Sequence, residues 1–374
     1  MKIHLTTFKT MGLATVAVAM ATLLATGAGA ALDTDLTVVN GQTYTSAIAS
    51  STRYDTLVLV ESGGTISTST VQLGYFQTYD TDPTGTLTNN GTVSLTSYLL
   101  IGAGNNGVLN LNTGSSTTAN EWRMSSVNGN YQTDRVTATV NINSDFTVGV
   151  GDPASGNNGR VQIGMATNGG LSTSNVYQTG GAVDIKYKGL NGPALGLGTN
   201  DVAGTKVAYV ISGGSLQVAG SGTSANYGIR VGHSSGTGNV EALFKVVGGV
   251  ASIAVDSGFH VYNNGTLAGE VNSGGLSTIV VGGAAAFETG STLDMTCASG
   301  YMPVQNSVFA VLTAASITGF DKLAFTDVLN WTYAVVDNGN GTSSLNATYI
   351  AVPEPATMAL LGLGLVGLVA RKRR

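Results

Sequence analysis

A chain of 374 residues can hold two or three domains, one large β fold or a repeat array. Glycine supplies 53 residues, charged side chains only 10% and apolar ones 43%, which excludes charge-rich disorder. Six prolines without a Gly-X-Y register exclude collagen, and a middle full of Gly, Thr, Ser, Asn and Val argues against a helical bundle.

Residues 1–30 read as a secretory signal helix. Lys2 and Lys9 give a positive start, and Met11 to Leu24 is apolar apart from Thr15 and Thr22. Ala28-Gly29-Ala30 is the small-residue site at which a signal peptidase cuts. The apolar run is shorter than the roughly 20 residues a spanning helix needs.

Residues 31–300 repeat. The pairs Gly180-Gly181, Gly213-Gly214, Gly248-Gly249 and Gly282-Gly283 are spaced by 33, 35 and 34 residues. The steps Ile163-Gly164, Leu197-Gly198 and Val231-Gly232 are spaced by 34 and 34. A fixed period of this size marks stacked supersecondary units. Within a unit the pattern alternates as a half-buried strand requires: Val183, Ile185 and Tyr187 on one side, Asp184, Lys186 and Lys188 on the other. Asn90-Gly91, Asn106-Gly107, Asn128-Gly129, Asn158-Gly159 and Asn264-Gly265 mark tight corners.

No such unit can bury its apolar face alone, so neighbouring coils must cover one another. The predicted fold is all-β, a right-handed parallel β-helix or related β-solenoid, with a β-sandwich or jelly roll as the rival. Strand-plus-turn spacing of about 17 residues leaves open whether each 34-residue repeat is one large coil or two short ones. Residues 301–350 leave the period and carry bulkier apolar runs, Ser307 to Leu312, Ala314 to Phe320 and Trp331 to Val336. A solenoid end exposes strand edges, so this stretch is read as a C-terminal β cap with antiparallel strands.

Residues 351–374 have three parts: Val352-Pro353-Glu354-Pro355, an uncharged stretch from Ala356 to Ala370, and Arg371-Lys372-Arg373-Arg374. The fifteen uncharged residues rise about 22 Å as a helix, and snorkelling arginines with local thinning complete a transmembrane helix. The basic cluster keeps that end in the cytoplasm and places the body across the membrane, in agreement with the leader. The two prolines make a stiff, extended strip from which Glu354 projects. This layout resembles the PEP-CTERM sorting signal over the last 22 residues. The resemblance implies that a membrane-embedded exosortase recognises Pro353, Glu354 and Pro355, removes the helix and releases or re-attaches the body. It also implies a Gram-negative bacterium that makes extracellular polysaccharide. The body's repeats resemble those of passenger-type and PEP-CTERM β-strand-repeat proteins.

Between leader and tail the body holds ten Lys and Arg against twenty Asp and Glu, a net charge near −10 where the whole chain has −5. No basic stripe is present to neutralise phosphates, so nucleic acid is not an expected partner. His233 and His260 are the only histidines outside the leader and Cys297 the only cysteine, too few for a zinc site or an intrachain disulfide. His233 reads as a turn residue and His260 as an outward strand residue. Neither is accompanied by a Gly-x-Ser-x-Gly elbow. The closest pairs suited to sugar chemistry are Asp33/Asp35, Asp80/Asp82 and Lys186/Lys188.

The expectation is a non-enzymatic exported protein with no catalytic residues, metal or cofactor. It passes through a membrane-anchored intermediate to the cell surface or a biofilm-type extracellular matrix, is structural or adhesive, and associates with extracellular polysaccharide. Its processing partners are signal peptidase at Ala28 and Ala30 and an exosortase at Pro353, Glu354 and Pro355. A β-helix polysaccharide lyase or hydrolase and a permanently membrane-anchored surface protein are the alternatives.

Overall fold

The computed structural model describes residues 31–350 apart from 33, 51–54, 75–82, 103, 126–135, 151–158, 166–170, 188–191, 199–203, 221–227 and 234–239. The leader with Ala28 and Ala30, and the tail with Pro353, Glu354, Pro355, Arg371, Lys372, Arg373 and Arg374, lie outside the described residues. So do Asp33, Asp80, Asp82, Lys188, Asn128, Gly129 and Asn158.

Every coil sends one strand to each of three sheets. Sheet A has 11 strands, from Ala31–Leu32 to Ser316–Thr318, and sheet B has 11, from Leu36–Val38 to Ala324–Phe325. Sheet C has 12, starting at Thr43–Tyr44 and ending with Val308–Ala314, Ser343–Tyr349 and Trp331–Asp337. In all three sheets each strand pairs with the strand three places further along the chain, in parallel, until the last two strands of sheet C. This is a parallel β-solenoid. The sandwich and jelly-roll rivals fail because their sheets are antiparallel.

The 34-residue repeat is one coil. Ile163 pairs with Leu197 and Leu197 with Val231 in sheet A, while Ser174 pairs with Val207 and Val207 with Ala242 in sheet B. The coil interior consists of columns in which equivalent residues stack. One column in sheet A runs Leu73, Ile101, Met124, Ile163, Leu197, Val231, Val261, Phe287, all of them buried. One in sheet B runs Val140, Val176, Tyr209, Phe244, Leu267, Leu293. Tyr209 stacks on Phe244 with ring centroids 5.7 Å apart, and Phe259 meets Phe244 edge-on at 5.8 Å. Full burial of each such side chain contributes roughly 1.5–3 kcal/mol, and only the rungs above and below supply it. The predicted alternation is present: Val183, Ile185 and Tyr187 are buried, while Asp184 and Lys186 face out and pair at 3.4 Å.

Three of the four glycine pairs form the corner between sheets B and C. Gly181 and Gly214 have φ of 67° and 75°, and a Cβ on either would strike the main-chain carbonyl of the rung beneath, Ser144 O and Gly181 O respectively. The fourth pair, Gly282-Gly283, lies instead between Ile279–Val281 of sheet C and Ala284–Phe287 of sheet A. Its coil has the B-to-C corner at Asn272 and Gly275, which are bridged to each other.

Parallel rungs continue past residue 300 through Ala324–Phe325, and the antiparallel strands Trp331–Asp337 and Ser343–Tyr349 then close sheet C. Trp331 is buried between Phe309, at 5.9 Å, and Tyr349, at 5.2 Å between ring centroids. No helix among the described residues is long and apolar enough to cross a membrane.

Candidate functional site

The outer face of sheet A carries Arg123, Arg230 and His260. Its inward column is Val71, Leu99, Trp122, Val161, Leu195, Ile229, Phe259. The alternation of a strand therefore turns Gln72, Arg123, Gln162, Arg230 and His260 outward at one position of the rung, with Leu100 and Gly196 at that position on the rungs between. Gln72 Nε2 donates to the Tyr98 hydroxyl at 2.9 Å. Arg123 makes a bidentate pair with Glu121, both bonds 2.8 Å. Arg160 lies one residue before the strand Val161–Ile163, with its guanidinium against Gly192.

The strip ends in a cluster. Arg230 pairs in register with His260, whose ring stacks on Tyr262 at 3.8 Å between centroids. His260 Nε2 is 3.3 Å from Glu288 Oε1, and Lys322 Nζ donates to Glu288 Oε2 at 3.2 Å. Although outward, His260 is buried. Burial lowers its pKa, against the opposing pull of the Glu288 carboxylate. Burial likewise lowers Arg160 and Arg230 and raises the Tyr262 phenol. The hydrogen bond from Lys322 chiefly lowers Glu288. Arginines remain charged in proteins. Among the described residues, Arg123, Arg160, Arg230 and Lys322 against Glu121 and Glu288 thus make this strip net cationic on an acidic body.

Of the carboxylate and lysine pairs expected from sequence, only Asp35 and Lys186 lie among the described residues. Asp35 accepts the main-chain N–H of Leu57 at 2.8 Å, which ties one rung to the next. Lys186 faces Asp184 in its own coil. Cys297 is a free, partly buried thiol packed on the core. Among the described residues no three His, Cys, Asp or Glu side chains gather as a metal site would require. A shallow depression of about 470 Å³ on sheet B, over Asn175, Ala208, Leu243 and Thr266, has Lys206 and Glu241 paired at 3.0 Å. A single carboxylate neutralised by its lysine offers no acid and base pair.

The cationic strip was hidden in the sequence because its members stand 30, 28 and 34 residues apart, from Arg230 to His260 to Glu288 to Lys322. One signal was present. Arg230 precedes the Val231-Gly232 step, and His260 precedes Val261, the next residue of that column.

Class and address come from different parts of the chain. The described body defines a parallel β-solenoid. Residues 351–374 match the PEP-CTERM protein-sorting motif. A search of curated proteins found no match to the chain. The solenoid therefore carries a PEP-CTERM signal, which makes it an exosortase-targeted exported protein with a membrane-anchored intermediate.

Proposed function

We propose that this chain is a non-catalytic protein of the bacterial surface or extracellular matrix, whose solenoid flank holds extracellular polysaccharide. The sorting motif at residues 351–374, joined to a many-rung solenoid, is the observation that carries this reading. The motif supports delivery by an exosortase, and signal peptidase would act near Ala30. The net cationic strip on sheet A supports contact with an anionic polysaccharide, whose carboxylate or sulfate groups its positive charge attracts. The body's overall acidity would keep the contact local to that strip.

Two measurements on the producing cell test this. Wild-type protein should leave the membrane fraction and lose Ala356 to Arg374, as read by the intact mass of the mature product. Glu354→Ala should remain in the membrane fraction with its tail present. Identical fractionation and an intact tail in both would sink the sorting half and leave a permanently anchored protein. Mature protein should co-sediment with the cell's own polysaccharide and lose that association in Arg123→Ala/Arg230→Ala. Shortening of the polysaccharide during the incubation would instead establish an enzyme.

A further inference from the structure

The C-terminal end of the solenoid exposes apolar side chains where its charged surface would otherwise predict polar ones. Met302, Val304, Val328 and Leu329 are 70, 79, 60 and 72% exposed. They sit on two loops, 301–306 and 326–330, that flank the last described strand. Strand Ser343–Tyr349 runs antiparallel to Val308–Ala314 on one side and to Trp331–Asp337 on the other. Its far end is pinned to both loops: Asn306 N donates to Tyr349 O at 2.8 Å, and Ile350 N donates to Asn330 O at 2.7 Å. The second loop is shaped by Asp327, whose Oδ1 accepts from Asn330 N at 3.2 Å, so that Val328 and Leu329 form its tip. Asp327 is the single charged residue in the two loops.

These four apolar residues surround the point at which the chain leaves the body. From Ile350 to Ala356, where the uncharged stretch begins, there are six residues, which span at most about 20 Å. While the tail is held in the membrane, this end of the rod cannot leave the bilayer surface. We propose that the two loops are a membrane-docking foot: Met302, Val304, Val328 and Leu329 enter the headgroup boundary, and the rod stands on the bilayer by its C-terminal end. Apolar side chains beside an anchored tether enter that boundary at little orientational cost, because the tail has already supplied the encounter. The foot holds Pro353, Glu354 and Pro355 at the lipid surface, within reach of a membrane-embedded protease. The inference rests on the anchored-intermediate reading.

The test uses the full chain with Cys297→Ala, reconstituted in phosphatidylcholine vesicles and carrying one bimane-labelled cysteine at Val304→Cys, Leu329→Cys or Leu57→Cys. Leu57 also faces out, but lies eight strands back along sheet B from Thr292–Cys297, about 40 Å away. The probes at 304 and 329 should shift to the blue and lose emission to a lipid-borne quencher, and the probe at 57 should do neither. Equal quenching at all three sites, which would mean a rod lying flat, overturns the proposal. So does absence of quenching, or cross-linking between Leu329→Cys copies, which would mean that a second copy covers the foot. Failure of the chain to float with the vesicles would overturn the anchored reading itself, and is distinct from flotation without quenching.

Discussion

The wholly buried hydroxyl of Tyr209 donates a hydrogen bond to Gln178 Oε1 on the adjacent rung, 2.8 Å away. Gln178 stands in an aliphatic column between Ile142 and Ile211, and its Nε2 donates to Ser215 O at 2.8 Å. An amide here is tolerated only because both of its ends are satisfied. Gln178→Leu keeps the volume but strands the Tyr209 hydroxyl, at a cost of about 1–3 kcal/mol. Adding Tyr209→Phe removes the stranded donor, so the double variant should be more stable than Gln178→Leu alone. Urea midpoints of the four proteins check this, and strictly additive losses would refute the coupling.

Gly164, after the sheet A strand Val161–Ile163, and Gly114, at a corner between sheets B and C, invite a second comparison. Gly164 has φ of 74°, and an added Cβ would collide with Val207 Cγ2 on the rung above. Gly114 has φ of 83° and nothing within 4 Å of that position. Gly114→Ala bears the left-handed backbone cost alone, roughly 1 kcal/mol, whereas Gly164→Ala adds overpacking and should lose about 3 kcal/mol. Equal losses in denaturant titrations would show that the stacking contact contributes nothing.

Those glycines also explain how much of the fold was legible. Between Ser174 and Ala242 consecutive rungs are separated by 33 and 35 residues, because loops of similar length join the strands. Elsewhere the pairing of Gly85 with Gly107 spans 22, and that of Ala242 with Gly265 spans 23. The period breaks there without any change in architecture, since strand register constrains the rungs and not the length of a corner. Gly282-Gly283 fell into the numerical series by coincidence of loop lengths. The sorting signal was readable because its parts are contiguous. The cationic strip was not, because stacking assembled it from residues on successive coils.

His260 gives the body a pH response with a defined sign. Burial holds its folded-state pKa below the ordinary 6.5, while Arg230 and Lys322 disfavour its proton and Glu288 favours it. As pH falls below 6.5 the unfolded chain takes up the proton before the folded one does, so stability declines until the lower folded value is passed. The Glu288–Lys322 pair fails in a separate, more acidic window, below the ordinary 4.5 of a glutamate. His260→Gln should therefore flatten the melting temperature across the upper window and leave the lower decline in place. An unchanged upper slope in scanning calorimetry would remove His260 as its cause.

Trp331 decides whether the rod stays single. It is buried between Phe309 and Tyr349 and starts the last strand of sheet C, so it locks the antiparallel pair onto the final rung. Truncation to alanine removes both ring contacts and should cost about 3–5 kcal/mol, concentrated at one end because a solenoid's rungs interact only with their neighbours. Hydrogen exchange should then accelerate across Trp331–Asp337 and Ser343–Tyr349 while strands such as Lys206–Ile211 keep their protection. With those strands released, the edge of Val308–Ala314 becomes free to pair with another molecule. Trp331→Ala should accordingly scatter light as chains of rods, growing with protein concentration. A monomeric variant with unaltered exchange at 331–349 would mean that the hairpin is held by its main-chain ladder and that Trp331 is dispensable to the cap.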